Sequence, residues 1–176
     1  SPVKEVAQIG ACIGREFPYD LLSAVFPRGD NELQDLLIQL GNSELVFRRG
    51  KPPDATYSFK HALVQDAAYE SLLKSKRQLL HAGIAKALCE NFPEILEHEP
   101  ELIAHHCTKA GLSAQATPYW LRAGKRAVEQ SANAEAIADF GKGLDLLQDL
   151  PDNADRAQQE LSLQIDLVAC MRILDR

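Results

Sequence analysis

Histidine, cysteine and lysine are the side chains here whose types could do chemistry, and each case turns on spacing. His105-His106-Cys107 has the residue types of a metal site. Adjacent helical residues point about 100° apart, however, and same-face ligands need three- or four-residue spacing. Packing and surface placement is the expectation for these three, with His98 and Glu101 in a different local geometry. The four cysteines, Cys12, Cys89, Cys107 and Cys170, lie far apart with no CxxC pair. They read as reduced thiols of a cytosolic protein rather than a disulfide framework or a zinc site. Gly124-Lys125-Arg126 and Gly141-Lys142-Gly143 lack the loop and the hydroxyl of a phosphate-cradling G-x-x-x-x-G-K-[ST] motif. No Ser-His-Asp or Cys-His constellation is readable. Asp66 and Glu70, at i and i+4, are ordinary for a solvated helix, and Arg28-Gly29-Asp30 reads as a turn followed by a helix cap.

His61 stands apart because of its position. It follows a β-prone stretch and opens a helical one, with Lys60 beside it. A helix N-terminus offers backbone N–H groups and the positive end of the helix dipole, so an anion could be held there. A histidine that caps the helix or packs under Tyr57 fits the same position. Lys74-Ser75-Lys76-Arg77, with Arg48, Arg49 and Lys51, makes the most basic region and reads as a solvated face.

The elements that position these residues follow from periodicity. Residues 2–13 are apolar at helical spacing and stop near Gly14. Pro18 suits the first turn of a second helix running from Tyr19 to Phe26. Pro27-Arg28-Gly29 breaks it, and Asp30 or Asn31 is placed to cap a third. Leu33, Leu36, Leu37 and Leu40 fall at i, i+3, i+4, i+7, a one-faced helix stopped by Gly41-Asn42. The period then changes to two. Leu45 to Arg49 and Thr56 to Lys60 read as strands joined by the turn residues Gly50 to Ala55. Three helices followed by a β-hairpin is the order of a winged helix, with a fourth helix starting at about His61.

The remainder is helical. Val64, Ala67, Ala68 and Leu72 form one stripe, and Leu80, Ile84, Ala87 and Leu88 another. Helices are expected at about 100–110, 113–130, 133–149 and 154–174, separated by breaks short enough to force antiparallel neighbours. Trp120 and Gly124, then Ala136 and Phe140, then Pro151, fit the tetratricopeptide pattern of W-x2-L-G-x2-Y, A-x3-F and P. Ala123 and Ala127 stand where Leu and Tyr would, so the match is incomplete. Ala116, Trp120 and Ala123 also resemble the second helix of a preceding repeat, so one helix could serve two hairpins, with Thr117-Pro118 starting or kinking it. Further repeats are expected after Arg176, because discrete repeats cannot stand alone.

The 176 residues carry a net charge of −6, with 45% hydrophobic and 25% charged residues. That allows one or two small domains with an ordinary packed core. The acidic balance opposes a dedicated nucleic-acid role, since such binding leans on clustered Lys and Arg. The third helix carries Asp30, Glu32 and Asp35 and no Lys or Arg. No apolar run approaches the ~20 residues that span a bilayer. The chain opens on Ser1 straight into an amphipathic stretch, which suggests a piece of a longer polypeptide.

The segment from Thr56-Tyr57-Ser58-Phe59-Lys60-His61 through Ala67-Ala68-Tyr69-Glu70-Ser71-Leu72-Leu73 is the most distinctive. It resembles the stretch that closes the ATPase core of the large bacterial predicted ATPases of the STAND class (signal-transduction ATPases with numerous domains). The resemblance continues through Ile9 to Phe17, Pro100 to His106, and Pro118 to Gly124, so it covers nearly the whole chain. In many such proteins an adenylate/guanylate cyclase domain lies at the N-terminus and tetratricopeptide repeats follow the ATPase. The resemblance implies that the winged helix packs on a nucleotide-binding domain and that His61, with Lys60 beside it, senses the β-phosphate of ADP. It also places the P-loop upstream of these residues.

The resulting expectation is a mainly α chain with a winged-helix-like module at 1–76 and tetratricopeptide-like hairpins at 77–176. It would be a cytoplasmic regulatory and protein-interaction part of a multidomain signal-transduction ATPase, not an enzyme by itself. ATP or ADP with Mg would be the cofactor of the full-length parent only, and no metal site is expected. The partners would be the upstream ATPase domain and a protein or small-molecule effector on the repeats, with no membrane. The alternative is a piece of a DNA-binding winged-helix transcriptional regulator.

Overall fold

A computed structural model of the chain describes residues 1–174. The fold is mainly α, with one small antiparallel sheet, and the chain divides into two compact units, Ser1–Ala87 and Leu88 onward.

The first unit opens with α1 (Pro2–Ile13), whose Pro2 occupies the first turn, where its missing N–H costs nothing. The chain then makes β1 (Glu16–Pro18), α2 (Tyr19–Val25), α3 (Asp30–Asn42), β2 (Val46–Arg49), β3 (Thr56–Phe59) and α4 (Ala62–Glu70). Helix α5 (Lys74–Asn91) contains the division between the units. The sheet order is β1-β3-β2, all antiparallel. The hairpin follows three helices as expected, but it gains a third strand. Glu16, Phe17 and Pro18 pair with Ser58, Tyr57 and Thr56. Three residues ending in Pro show no alternation to read; pairing with a strand some forty positions away makes them a strand. Pro18 is tolerated because β1 is an edge. It is therefore the last strand residue and the N-cap of α2, not part of that helix's first turn.

The core of this unit gathers Val6 and Ile9 of α1, Leu22 of α2, the four leucines of the α3 stripe, and Phe17, Tyr57 and Phe59 of the sheet. Phe17 stacks on Tyr57 with ring centroids 5.8 Å apart. It also explains Gly10: a Cβ there would come within 3.0 Å of the Phe17 ring. The third-helix cap departs from expectation. Gly29 holds the N-cap with no side-chain bond. The Asp30 carboxylate is engaged instead by the hydroxyls of Tyr19 and Ser23 and by the Gln34 amide. Helix α4 is less covered than its stripe suggests. Val64 and Ala68 lie half-buried against the core, Ala67 is exposed, and Leu72 is buried beyond the helix end.

In the second unit α6 (Pro93–His98) leads to α7 (Pro100–Lys109), α8 (Ser113–Glu129), α9 (Asn133–Leu147) and α10 (Ala154–Leu174). Helix α8 packs against both α7 and α9, and α9 against α10, so antiparallel hairpins share helices. Gly124 faces Phe140 so closely that a Cβ would lie 2.3 Å from the ring. Ala123, Ala127 and Ala136 are buried, and a Cβ at Gly143 would touch Leu163 and Trp120. Small residues thus bring the helices together, and Trp120, Phe140 and Leu163 fill the space. Pro118 lies inside α8, and the Thr117 hydroxyl donates to the Ser113 carbonyl at 2.9 Å.

The two turns flanking α8 are built alike. Leu112 N–H donates to Cys107 O and Gly111 N–H to Thr108 O; Ala132 N–H donates to Ala127 O and Ser131 N–H to Val128 O. Both are Schellman closures, with Gly111 (φ 77°) and Ser131 (φ 61°) in the left-handed region.

Candidate functional site

His61 sits between the end of β3 and the start of α4, and it is exposed. Its own extended backbone (φ −131°, ψ 137°) makes it the N-cap of α4. The cap is a main-chain one: the His61 carbonyl accepts from Val64 N–H at 3.0 Å, and the imidazole makes no capping bond. The ring does not cap the helix, and His61 is exposed while Tyr57 is buried. Two residues on, Leu63 is 79% exposed, and Ala62, Asp66, Ala67 and Glu70 continue the same open face of α4. An apolar side chain so exposed loses the stabilisation that burial would give, on the order of 1.5–3 kcal/mol for a leucine.

Lys60 is tied down on both sides. Its N–H donates to Leu45 O at 3.0 Å, extending the hairpin by one pair beyond Val46 and Phe59. Its ammonium stands 4.8 Å from the centre of the Phe47 ring, a cation–π contact. Lys60 and Phe47 line a groove of about 530 Å³ with Leu37, Ile38 and Gly41 of α3 and with Glu44 and Arg48. The sequence placed Lys60 beside His61; Phe47 and Ile38 as neighbours of the lysine were not read from it. They were missed because strand register and the α3–hairpin approach bring them together.

The basic stretches stay on the surface. Arg48, Arg49, Lys51, Lys74 and Lys76 are exposed, and Arg77 lies half-buried over the Tyr69 ring at 5.0 Å. The outward face of α3 presents Glu32, Asp35 and Ile38. Such a face would meet DNA phosphates with negative charge rather than positive.

His105 and His106 lie with ring centroids 5.4 Å apart, the first exposed and the second buried. Among the described residues no three His, Cys, Asp or Glu side chains converge on a metal position. All four cysteines are free. Burial pushes the Cys12 and Cys107 thiols up to about 11, so both stay protonated at neutral pH and are poor nucleophiles. Two buried polar groups escaped the sequence reading. His81 accepts or donates at 3.0 Å with the Tyr69 hydroxyl. Asp139 of α9 is buried and receives Lys142 Nζ at 3.1 Å, and that ammonium also stands 4.2 Å from the Trp120 ring centre. The signal was present in both cases: His81 falls on the stripe of Ile84 and Leu88, and Asp139 on that of Ala136, Phe140 and Gly143.

The second unit carries a cleft of about 560 Å³ between α6 and α8. Arg122, Lys125 and Arg126 line it from α8, and Glu97 and His98 from α6. It lies on the side of α8 opposite its small-residue seam.

The chain is similar to an uncharacterized protein of Rhizobium meliloti (strain 1021), at 31% identity over 144 residues. The match takes in 81% of the chain and 14% of the relative's length. No family model matches, and no solved structure does. Among the described residues no helix is long and apolar enough to cross a membrane.

Proposed function

We propose that the chain is a regulatory part of a STAND-class signal-transduction ATPase. Its winged-helix-like unit reports the nucleotide state of an ATPase domain elsewhere in the parent, and its helical hairpins receive an effector. One observation carries the reading: an exposed histidine stands where the last hairpin strand turns into a helix, with a lysine before it and an open apolar leucine after it. An imidazole and the α4 N-terminus can accept a phosphate from a neighbouring domain, while Leu63 and the open face of α4 supply surface for that domain to cover. The resemblance of Thr56 to Leu73 to the closing segment of these ATPases supports the same assignment. ATP or ADP with Mg would be held by the parent's P-loop, and His61, with Lys60 beside it, would contact the β-phosphate of ADP. The parent would be cytoplasmic, and a nucleotide cyclase is the output domain the resemblance suggests. In this reading the α6–α8 cleft would take the effector, protein or small molecule.

Regulation of this kind needs a ligand that distinguishes the on and off states. His61→Ala in the full-length parent is expected to speed ADP release. A lost charge-assisted hydrogen bond of about 1.5–3 kcal/mol corresponds to roughly ten- to hundredfold. Stopped-flow release of a fluorescent ADP analogue measures it. Release at the wild-type rate would remove the sensor role.

A further inference from the structure

The open edge of strand β2 has the features of a docking strip for an extended polypeptide. In an antiparallel ladder, hydrogen-bonded and non-hydrogen-bonded pairs alternate. Lys60 N–H donates to Leu45 O, so that pair is a bonded one. Counting along the register, Val46 and Phe59 are a non-bonded pair, Phe47 and Ser58 bonded, and Arg48 and Tyr57 non-bonded. The Phe59 N–H accordingly turns the other way and donates to Arg15 O at 3.0 Å. The N–H and C=O groups of Val46 and Arg48 therefore face away from β3; Val46 is only 4% exposed, so the accessible pair is that of the exposed Arg48. Since β2 is the outer strand of the sheet, they face the open edge.

Edge strands are commonly guarded by charge, and Arg48, Arg49 and Lys51 would serve that end. Guarding does not account for what lies beside them. Phe47 is 58% exposed and Ile38 54% exposed, both on the groove of about 530 Å³ that Lys60 and Arg48 also line. A protective edge does not carry an open aromatic ring and an isoleucine next to main-chain groups that point out of the sheet.

We infer that β2 accepts an added strand from another polypeptide, an acidic segment with apolar side chains at alternate positions. The main-chain groups of Arg48 supply the ladder, Phe47 and Ile38 cover the apolar side chains, and Arg48, Arg49, Lys51 and Lys60 select acidic ones over the smaller charge of Asp35, Glu44 and Asp54. Affinity from the main chain and selection from alternate side chains is the division of labour of strand addition. The inference does not depend on His61 or on a nucleotide.

The test uses the 176-residue chain and two fluorescein-labelled, N-acetylated eight-residue peptides, one alternating glutamate and valine, the other lysine and valine. Fluorescence anisotropy is expected to show saturable binding of the acidic peptide only. Arg48→Ala should weaken it several-fold. Arg48→Pro, which also deletes the outward N–H, should weaken it at least about tenfold more, while circular dichroism shows an unchanged fold; Pro is tolerated where an edge N–H faces out. Phe47→Ser should weaken binding with the ladder intact, whereas His61→Ala should leave it unchanged. In ¹⁵N spectra the amide of Arg48 should shift on titration more than those of Phe47 and Arg49. No saturable binding, equal binding of both peptides, or equal binding by Arg48→Ala and Arg48→Pro would overturn the inference. So would an Arg48-sensitive self-association in sedimentation without peptide binding, because the edge would then pair with a second copy.

Discussion

At the scale of single residues, Gly124 and Asp139 carry the sharpest consequences. No other side chain fits at Gly124, because a Cβ would enter the Phe140 ring. Gly124→Ala is expected to destabilise the chain by about 1–3 kcal/mol, the ordinary cost of overpacking. Phe140→Leu in the same chain should recover part of that loss; thermal denaturation of the single and double variants measures both. Asp139 and Asp30 should respond to acid in opposite senses. Burial raises the Asp139 carboxyl above its usual range, only partly offset by Lys142. Its proton is bound more tightly folded than unfolded, so acidification from neutral pH toward 4 adds stability through this group. The Tyr19 and Gln34 hydrogen bonds lower the Asp30 carboxyl. Its contribution is full at neutral pH and is lost as pH falls below the unfolded carboxylate range. Melting temperatures followed from pH 7 to 3 should show Asp139→Asn making the acid loss steeper and Asp30→Asn making it shallower. Parallel curves for the two variants would contradict both assignments.

At the scale of elements, two features separate from one another. The α3 helix is held by four buried leucines, whereas α4 has no fully buried residue. Amide hydrogen exchange is therefore expected to be faster over Ala62–Glu70 than over Leu33–Leu40, since local opening follows the contacts that must be broken. Leu37→Ala should cost about 2–5 kcal/mol. The turns flanking α8 offer a comparison within one chain. Gly111 and Ser131 occupy the same left-handed C′ position, but only Gly111 reaches it without a Cβ penalty. Ser131→Gly is expected to raise stability by up to about 1 kcal/mol, readable as an upward shift in melting temperature. Gly111→Ser should lower stability by a similar amount.

At the scale of the whole molecule, two hydrophobic clusters stand in two units. One is centred on Phe17 and the α3 leucines, the other on Phe140 and Leu163. Each cluster lies within its own unit, so core losses in each are expected to add. The double variant Leu37→Ala, Phe140→Ala is expected to lose the sum of the single losses within about 0.5 kcal/mol. A departure larger than that in chemical denaturation would mean that the two clusters are coupled.

What could be read without coordinates follows from the range of each interaction. The boundaries of α1, α3 and α7 to α10 were legible because apolar residues recurring at 3.6-residue spacing, bounded by Gly, Pro and Asn, leave few alternatives to a one-faced helix. The hairpin from Val46 to Phe59 was legible for the same local reason, as was the seam of Gly124, Ala136 and Phe140. Tertiary structure alone decided what depends on distant partners. It made Glu16–Pro18 a strand by pairing it with β3, gave the cap of α3 to Gly29 by diverting Asp30 to Tyr19, and set Lys60 over Phe47 beside an open strand edge. Pairing register and helix approach act between residues far apart in the chain, and no local spacing encodes them. The place of His61 in the sequence was visible at once; that it stays exposed and makes no side-chain cap was decided only by the way the hairpin meets α4.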